Sequence, residues 1–242
     1  MKLCKLVFFI LVCTSASAQM KKGALISVFG DRNLSDDPMD TKIFEAIMKD
    51  TAFNLTPIVN KFDKTIREKF LPQFPFPFLS KDEVVKAPGY ADLKNLTKWG
   101  QDNWYSTPAD GYVPIAAYGI VDDEAAIKKS FEIVQGGVDG VMIAYVNFNI
   151  YDAGGIGPMA KKKIYAYVNL KIFNKEGKRI FKLKERASSD DGVMAVGGII
   201  TNFGKLKPMI ESSSNNLLAE MEDKLAKSLA KMTKQMDKYN KD

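Results

Sequence analysis

Residues 150–165 read IYDAGGIGPMAKKKIY, three glycines ahead of three lysines, which is the composition of a phosphate cradle. A Walker loop needs G-x-x-x-x-G-K-[ST] between a strand and a helix, so that backbone N–H groups and the helix dipole meet the phosphate. Gly154, Gly155 and Gly157 do not keep that spacing, no Ser or Thr follows Lys161, and the next element reads as a strand. The Rossmann fingerprint fails on the same topology. The glycines, with Pro158, are therefore expected to turn the chain between paired strands. Lys161, Lys162 and Lys163 then stand at a hairpin end, where they either discourage edge-to-edge pairing or meet an anionic surface.

Other chemistry is narrowed by what the chain lacks. It has no histidine, and its two cysteines, Cys4 and Cys13, both lie in the first eighteen residues. Ser–His–Asp and Cys–His machinery and the usual zinc sites are thereby excluded. Residues 31–37 open like a calcium loop, but Asp36 and Lys42 occupy the places of the required Gly and bidentate Glu. Asp36/Asp37, Asp122/Asp123 and Asp190/Asp191 are adjacent acids, and adjacent carboxylates do not flank a cleft as glycosidase pairs do. No catalytic residue, metal ligand or cofactor is nominated. A carboxylate-based hydrolase stands as the third functional reading.

Two features point to binding instead. In residues 141–151 and 163–173 apolar side chains alternate with polar ones, so each segment has an apolar face. The other face carries Tyr145, Asn147, Asn149 and Tyr151 from the first segment, and Tyr165, Tyr167, Asn169 and Lys171 from the second. Tyrosine and asparagine with few charges suit a partner-binding surface, although tyrosine also favours strands for packing alone. The second feature is Phe74-Pro75-Phe76-Pro77-Phe78-Leu79, whose prolines restrict it to an edge or an extended segment laid over the core. A small apolar ligand beneath that segment is the alternative function.

The elements that must position these residues read as follows. Lys2 and Lys5, the apolar run 6–13 and Ala16-Ser17-Ala18 form a signal peptide expected to be cleaved after Ala18. A lipoprotein signal wants a small residue before its cysteine, and Val12 precedes Cys13, so simple secretion is expected. Loss of Lys2 and Lys5 lowers the formal charge from +6 to about +4, too mild for nucleic-acid binding. No second apolar run of spanning length follows.

In the mature part, 24–29 reads as a buried strand. Residues 40–49 and 56–70 read as helices, the latter capped by Thr56, and Ser80–Glu83 has capping-box spacing. Residues 112–118 read as a strand and 122–134 as a helix. The alternating strands 141–151 and 163–173 follow, then a third at 179–185 with Phe181 and Leu183 inward, and an amphipathic helix over 214–239. The expected fold class is α+β, with a mixed, mainly antiparallel sheet. Its C-terminal part is a three-stranded meander, with helices packed on the sheet and a long C-terminal amphipathic helix. Residues 19–242 are expected to form one domain, with a helix-rich first half (19–111) and a strand–helix–meander–helix second half (112–242).

The order of elements over 112–239 resembles the envelope domains related to the amino-terminal domain of TolB, a group that includes CsgG and LpoB. The resemblance is carried by Val138-Asp139-Gly140-Val141-Met142-Ile143 entering a strand, by 168–178 ending a strand in a polar Gly turn, and by the late helix from Ser214. It implies a non-enzymatic periplasmic scaffold; the partner expected from the tyrosine–asparagine face and the lysines is an envelope protein or an anionic surface component. Residues 152–162 are too short for membrane-spanning hairpins, so pore formation is not implied.

Overall fold

β1 (Gly23–Asp31) is buried at all nine positions, as expected of a strand enclosed on both sides. In the computed structural model it pairs antiparallel with β2 (Ser106–Pro108) and parallel with β3 (Gly140–Ile156). The structure describes residues 20–31, 34, 53–96, 106–115, 124–134, 137–156, 159–196, 199–200 and 202–239. The signal peptide expected at 1–18, the helix expected at 40–49, and the acidic pairs Asp36/Asp37 and Asp122/Asp123 lie outside the described residues.

β3, β4 (Met159–Asn174) and β5 (Arg179–Ser188) form the antiparallel meander. β6 (Val193–Val196) continues along the far end of β4, and β7 (Ile199–Ile200) pairs with β6. The strand order is β2-β1-β3-β4-β6-β7, with β5 beside β4. The fold is α+β, with one parallel pair in an otherwise antiparallel sheet.

Register follows the apolar alternation: Met142 faces Ile172, Ala144 faces Leu170, Val146 faces Val168, and Phe148 faces Ala166. A slip of one residue would turn all of these to the other face. That apolar face is covered by α5 (Leu206–Tyr239), which packs on β4 and β5 and buries Leu218, Met221, Leu225 and Met232. α1 (Thr56–Thr65), α2 (Lys81–Val85), α3 (Leu93–Leu96) and α4 (Glu124–Ile133) complete the described helices, and one core joins them to the sheet.

Several boundaries differ from the sequence reading. α5 begins at Leu206 rather than Ser214: Pro208 sits in its first turn, where no N–H is required, and the Ser214 hydroxyl donates back to the Ile210 carbonyl at 2.6 Å instead of capping. Thr56 is already helical, and the Asn54 side chain accepts its N–H. The capping box of Ser80 and Glu83 is formed as read.

Residues 112–115 are not a strand. Pro114 has no N–H, and the Ser27 hydroxyl donates to the Val113 carbonyl (2.6 Å) while accepting from the Ile115 N–H. The Tyr90 hydroxyl likewise donates to the Ile26 carbonyl and accepts from the Val113 N–H. Side chains thus hold this segment to β1 where a ladder was expected.

The Phe–Pro segment lies as an edge, as its prolines require. Gly23 N–H donates to the Pro77 carbonyl and Leu79 N–H to the Gly23 carbonyl, both at 2.9 Å, so Phe78 bridges β1. A side-chain carbon at Gly23 would lie 2.7 Å from the Phe78 ring, which is why the approach needs glycine.

Candidate functional site

The hairpin over residues 150–165 is longer than the sequence suggests. β3 and β4 remain paired to Ile156 and Met159, with an irregularity between Asp152 and Gly155. Gly155 is therefore in the ladder rather than in the turn. Its φ is +150°, and a side-chain carbon there would sit 2.2 Å from the Met159 carbonyl oxygen. Gly155 thus serves a close backbone approach, a side-chain carbon at Gly154 would meet nothing within 4 Å, and Gly157 and Pro158 lie outside the described residues.

The three lysines do not act together. Alternation puts Lys161 and Lys163 on the face of Tyr165, while Lys162 turns to the apolar side and pairs with Asp152 at 2.7 Å. Beyond Lys161 the same face exposes Met159, Met194 and Val196, at 51%, 45% and 52%.

The tyrosine–asparagine face is divided. Tyr145, Asn169 and Lys171 are buried (9%, 8% and 3% exposed), which corrects the expectation that they face outward. The Tyr145 hydroxyl donates to Asp31 at 3.1 Å and its ring packs 5.0 Å from Phe29, so this half belongs to the core. The other half is half-exposed and forms two cross-strand rows, Asn147–Tyr167–Arg186 and Asn149–Tyr165–Ser188.

In these rows Tyr151 stacks on Tyr165 at 3.8 Å and 14°, and Tyr167 meets Tyr165 edge-on at 5.8 Å. The Arg186 guanidinium lies 4.9 Å from the Tyr165 ring centre, a cation–π contact. The hydroxyls of Tyr151 and Ser188 share a 2.6 Å hydrogen bond, and Asn147 donates to Asn149. Interaction with Tyr151 raises the Tyr165 phenol above its ordinary value, and burial adds to the rise. No carboxylate stands on this face of β3, β4 or β5, whereas Lys161, Lys163, Lys184 and Arg186 do. Arg186 and Ser188 lay beyond the expected end of the third strand, and the alternation Lys184–Arg186–Ser188 was the signal that reaches them. Met194 and Val196 sit on a four-residue strand too short to show a period.

A second region lies on α1, α2 and the Phe–Pro segment. Asp63, 3% exposed at its side chain, accepts two bonds from Arg67 (2.8 and 2.9 Å) and one from Lys81 (2.9 Å). Asp63 and Arg67 are four apart on α1 and its π-helical continuation Ile66–Phe70, which puts them on one side. The bond to Asp63 raises the Arg67 guanidinium above its ordinary value. Lys81 also lies 4.7 Å over the Tyr112 ring. Tyr112 is 4% exposed, and its hydroxyl makes no hydrogen bond among the described residues. Burial, reinforced by Asp63, pushes this phenol far up.

Arg67, Lys81 and Tyr112 line a groove of about 620 Å³ whose remaining wall is Leu71 and the rings of the Phe–Pro segment. Those rings cluster at 5.2 to 5.7 Å, and Phe74 also meets Phe181 of β5 at 6.0 Å. The volume is that of a small-molecule pocket.

Asp190 and Glu185 have partners on α5. Asp190 accepts from Ser212 and Asn216 of α5, which hold its carboxyl below the usual range, and Glu185 pairs with Lys224. Among the described residues no three potential ligands of His, Cys, Asp or Glu type gather, and no helix is long and apolar enough to cross a membrane.

No family model and no curated protein sequence matches the chain. Among solved structures it is similar to the hypothetical protein CT253 from Chlamydia trachomatis, 12% identical, with a TM-score of 0.32 over 85% of this chain and 98% of that one. It is also similar to the lipoprotein GNA1162 from Neisseria meningitidis, 12% identical, with a TM-score of 0.31 over 81% of this chain and 96% of that one. Likenesses of this size leave fold and role to be argued from the chain itself.

Proposed function

We propose that the chain is a secreted or periplasmic, non-enzymatic binding protein of the bacterial envelope. In this reading residues 19–242 act as one unit that docks a negatively charged envelope partner. The observation that carries it is the open half of the tyrosine face: a Tyr151–Tyr165 stack under Arg186, flanked by Lys161, Lys163 and Lys184, with no carboxylate on the same face of its three strands. Tyrosine buries large area at low entropic cost, arginine is enriched at interfaces, and an excess of positive charge on the strands steers an anionic partner. Met159, Met194 and Val196 extend the face with an apolar rim.

The test is affinity capture from envelope extracts with the full mature chain and with Tyr165→Ala/Arg186→Ala. Components held by the first and lost by the second, more weakly held at high salt, support the reading. Identical capture by both proteins would sink it.

A second reading, carriage of a small ligand in the groove beside the Phe–Pro segment, is favoured by the groove's size and its aromatic wall. Retention of an apolar probe, lost on Phe78→Asp, tests it.

A further inference from the structure

The groove is not purely apolar, and its polar residues are unbalanced in one direction. Guanidinium carries five N–H donors, ammonium three and a phenol one. Asp63 takes two from Arg67 and one from Lys81, and neither residue makes another hydrogen bond among the described residues. The Tyr112 hydroxyl makes no hydrogen bond among the described residues. Asp63, the one acceptor, is already engaged three times, so the cluster is rich in donors and poor in acceptors. Its formal charge is likewise uneven, with two cations against one carboxylate.

Water can reach the remaining donors of Arg67 and Lys81, which are 34% and 22% exposed at their side chains. A ligand oxygen entering beside Lys81 would meet charge-assisted donors on Lys81 and Arg67. Next to this cluster runs the aromatic wall of Phe74, Phe76 and Phe78. Taken from end to end, the groove is complementary to a molecule with an anionic head and an apolar tail.

Resting on the reading of the groove as a ligand site, we propose that its ligand is a monoanionic amphiphile of the fatty-acid type. Its carboxylate is held by Lys81 and Arg67, and its tail lies along Phe74, Phe76 and Phe78. One negative charge matches the single excess cation. A dianionic head would leave a charge unmatched beside the buried Asp63, where an unpaired charge is costly.

Isothermal titration of the mature chain with dodecanoate, dodecanol, dodecyl phosphate and dodecyltrimethylammonium, each below its micelle concentration, tests the head group. Dodecanoate is expected to bind at least tenfold tighter than dodecanol and dodecyl phosphate, and the cation not measurably. Lys81→Gln should erase the preference over dodecanol while keeping the binding of dodecanol. Equal binding of dodecanoate and dodecanol overturns the head-group assignment and leaves the groove reading standing. Dodecyl phosphate binding as tightly as dodecanoate overturns the monoanion, and no binding by either dodecanoate or dodecanol overturns both readings. Should Lys81→Gln fail to fold, the series on the unaltered protein still decides.

Discussion

The groove cluster and the open tyrosine face both set cations against aromatic rings, yet they are built in opposite ways. In the groove the cations are tied to a buried carboxylate: Arg67 and Lys81 converge on Asp63, and Lys81 lies over Tyr112. On the sheet face the cation is tied to a ring, since Arg186 stacks on Tyr165 and makes no ion pair among the described residues, although Glu220 and Asp223 of α5 line the same hollow. The first arrangement is internal to the fold, because removing one member strands a charge out of water. The second is exposed, so its members can be changed without stranding anything. Stability and recognition are therefore expected to separate cleanly between the two regions.

The sharpest way to break this comparison is to remove the arginine from each. Arg67→Ala leaves Asp63 with Lys81 alone, and breaking a buried ion network by removing one partner costs about 3 kcal/mol or more. Arg186→Ala exposes Tyr165 to water and is expected to cost under about 0.5 kcal/mol. Urea unfolding of the two variants measures both. Equal losses would show that the tyrosine face is structural after all.

The next effect is smaller and concerns the wall of the groove. Gly23→Ala places a carbon 2.7 Å from the Phe78 ring and pushes the Phe–Pro segment away from β1. Overpacking of this kind costs about 1–2 kcal/mol. If the segment is the groove's wall, a groove-bound probe should weaken in the same variant. Capture through the tyrosine face should not change.

The two regions were unequally legible in the sequence. The tyrosine face came from period-2 alternation, which gives a strand's faces without its neighbours. It put Tyr165 and Tyr167 on the outer face, where they are half-exposed, and could not say that the strand paired with β3, parallel to it, would be β1. Burial of Tyr145 depends on that pairing, because Asp31 and Phe29 of β1 are what it touches. The lysine run was read as one feature, although the same alternation that places Tyr165 also divides Lys162 from Lys161 and Lys163. The Phe–Pro segment was legible as an edge because proline cannot donate to a ladder. The charged cluster beside it was not, since Asp63, Lys81 and Tyr112 come from three separate elements and no local period links them.

Alkaline pH gives a third, smaller separation. The Tyr90 and Tyr112 phenols are both raised by burial, Tyr112 further by Asp63, while the N–H of Val113 partly offsets the rise at Tyr90. In the unfolded chain each ionises near the ordinary value of about 10. Above that pH the unfolded state binds fewer protons than the folded one, so stability falls as pH rises, by up to about 1.4 kcal/mol per pH unit for each tyrosine. Below pH ~10 the contribution is fully present. Tyr112→Phe should flatten this limb and be neutral or stabilising by up to about 1 kcal/mol at pH 7, because it deletes a hydroxyl without a partner. An unchanged alkaline limb in melting curves from pH 8 to 11 would contradict the burial of that phenol.

The smallest expected stability effect carries the finest test, because it lies within the three lysines themselves. Lys162→Gln breaks a pair with Asp152, whose side chain is 67% exposed, and exposed pairs contribute about 0–1 kcal/mol. Lys163→Gln breaks no ion pair among the described residues and should leave stability within about 0.5 kcal/mol. Function should reverse that order. Lys163 shares the face of Tyr165, so its loss lowers the local positive charge and slows capture of an anionic partner, most at low salt. Lys162 points to the other side and should leave capture unchanged. If both variants lose partner binding alike, the lysines act as a diffuse charge at the hairpin end and the face assignment fails. If only Lys163→Gln does, one residue of strand register separates a lysine that serves the fold from one that serves the surface.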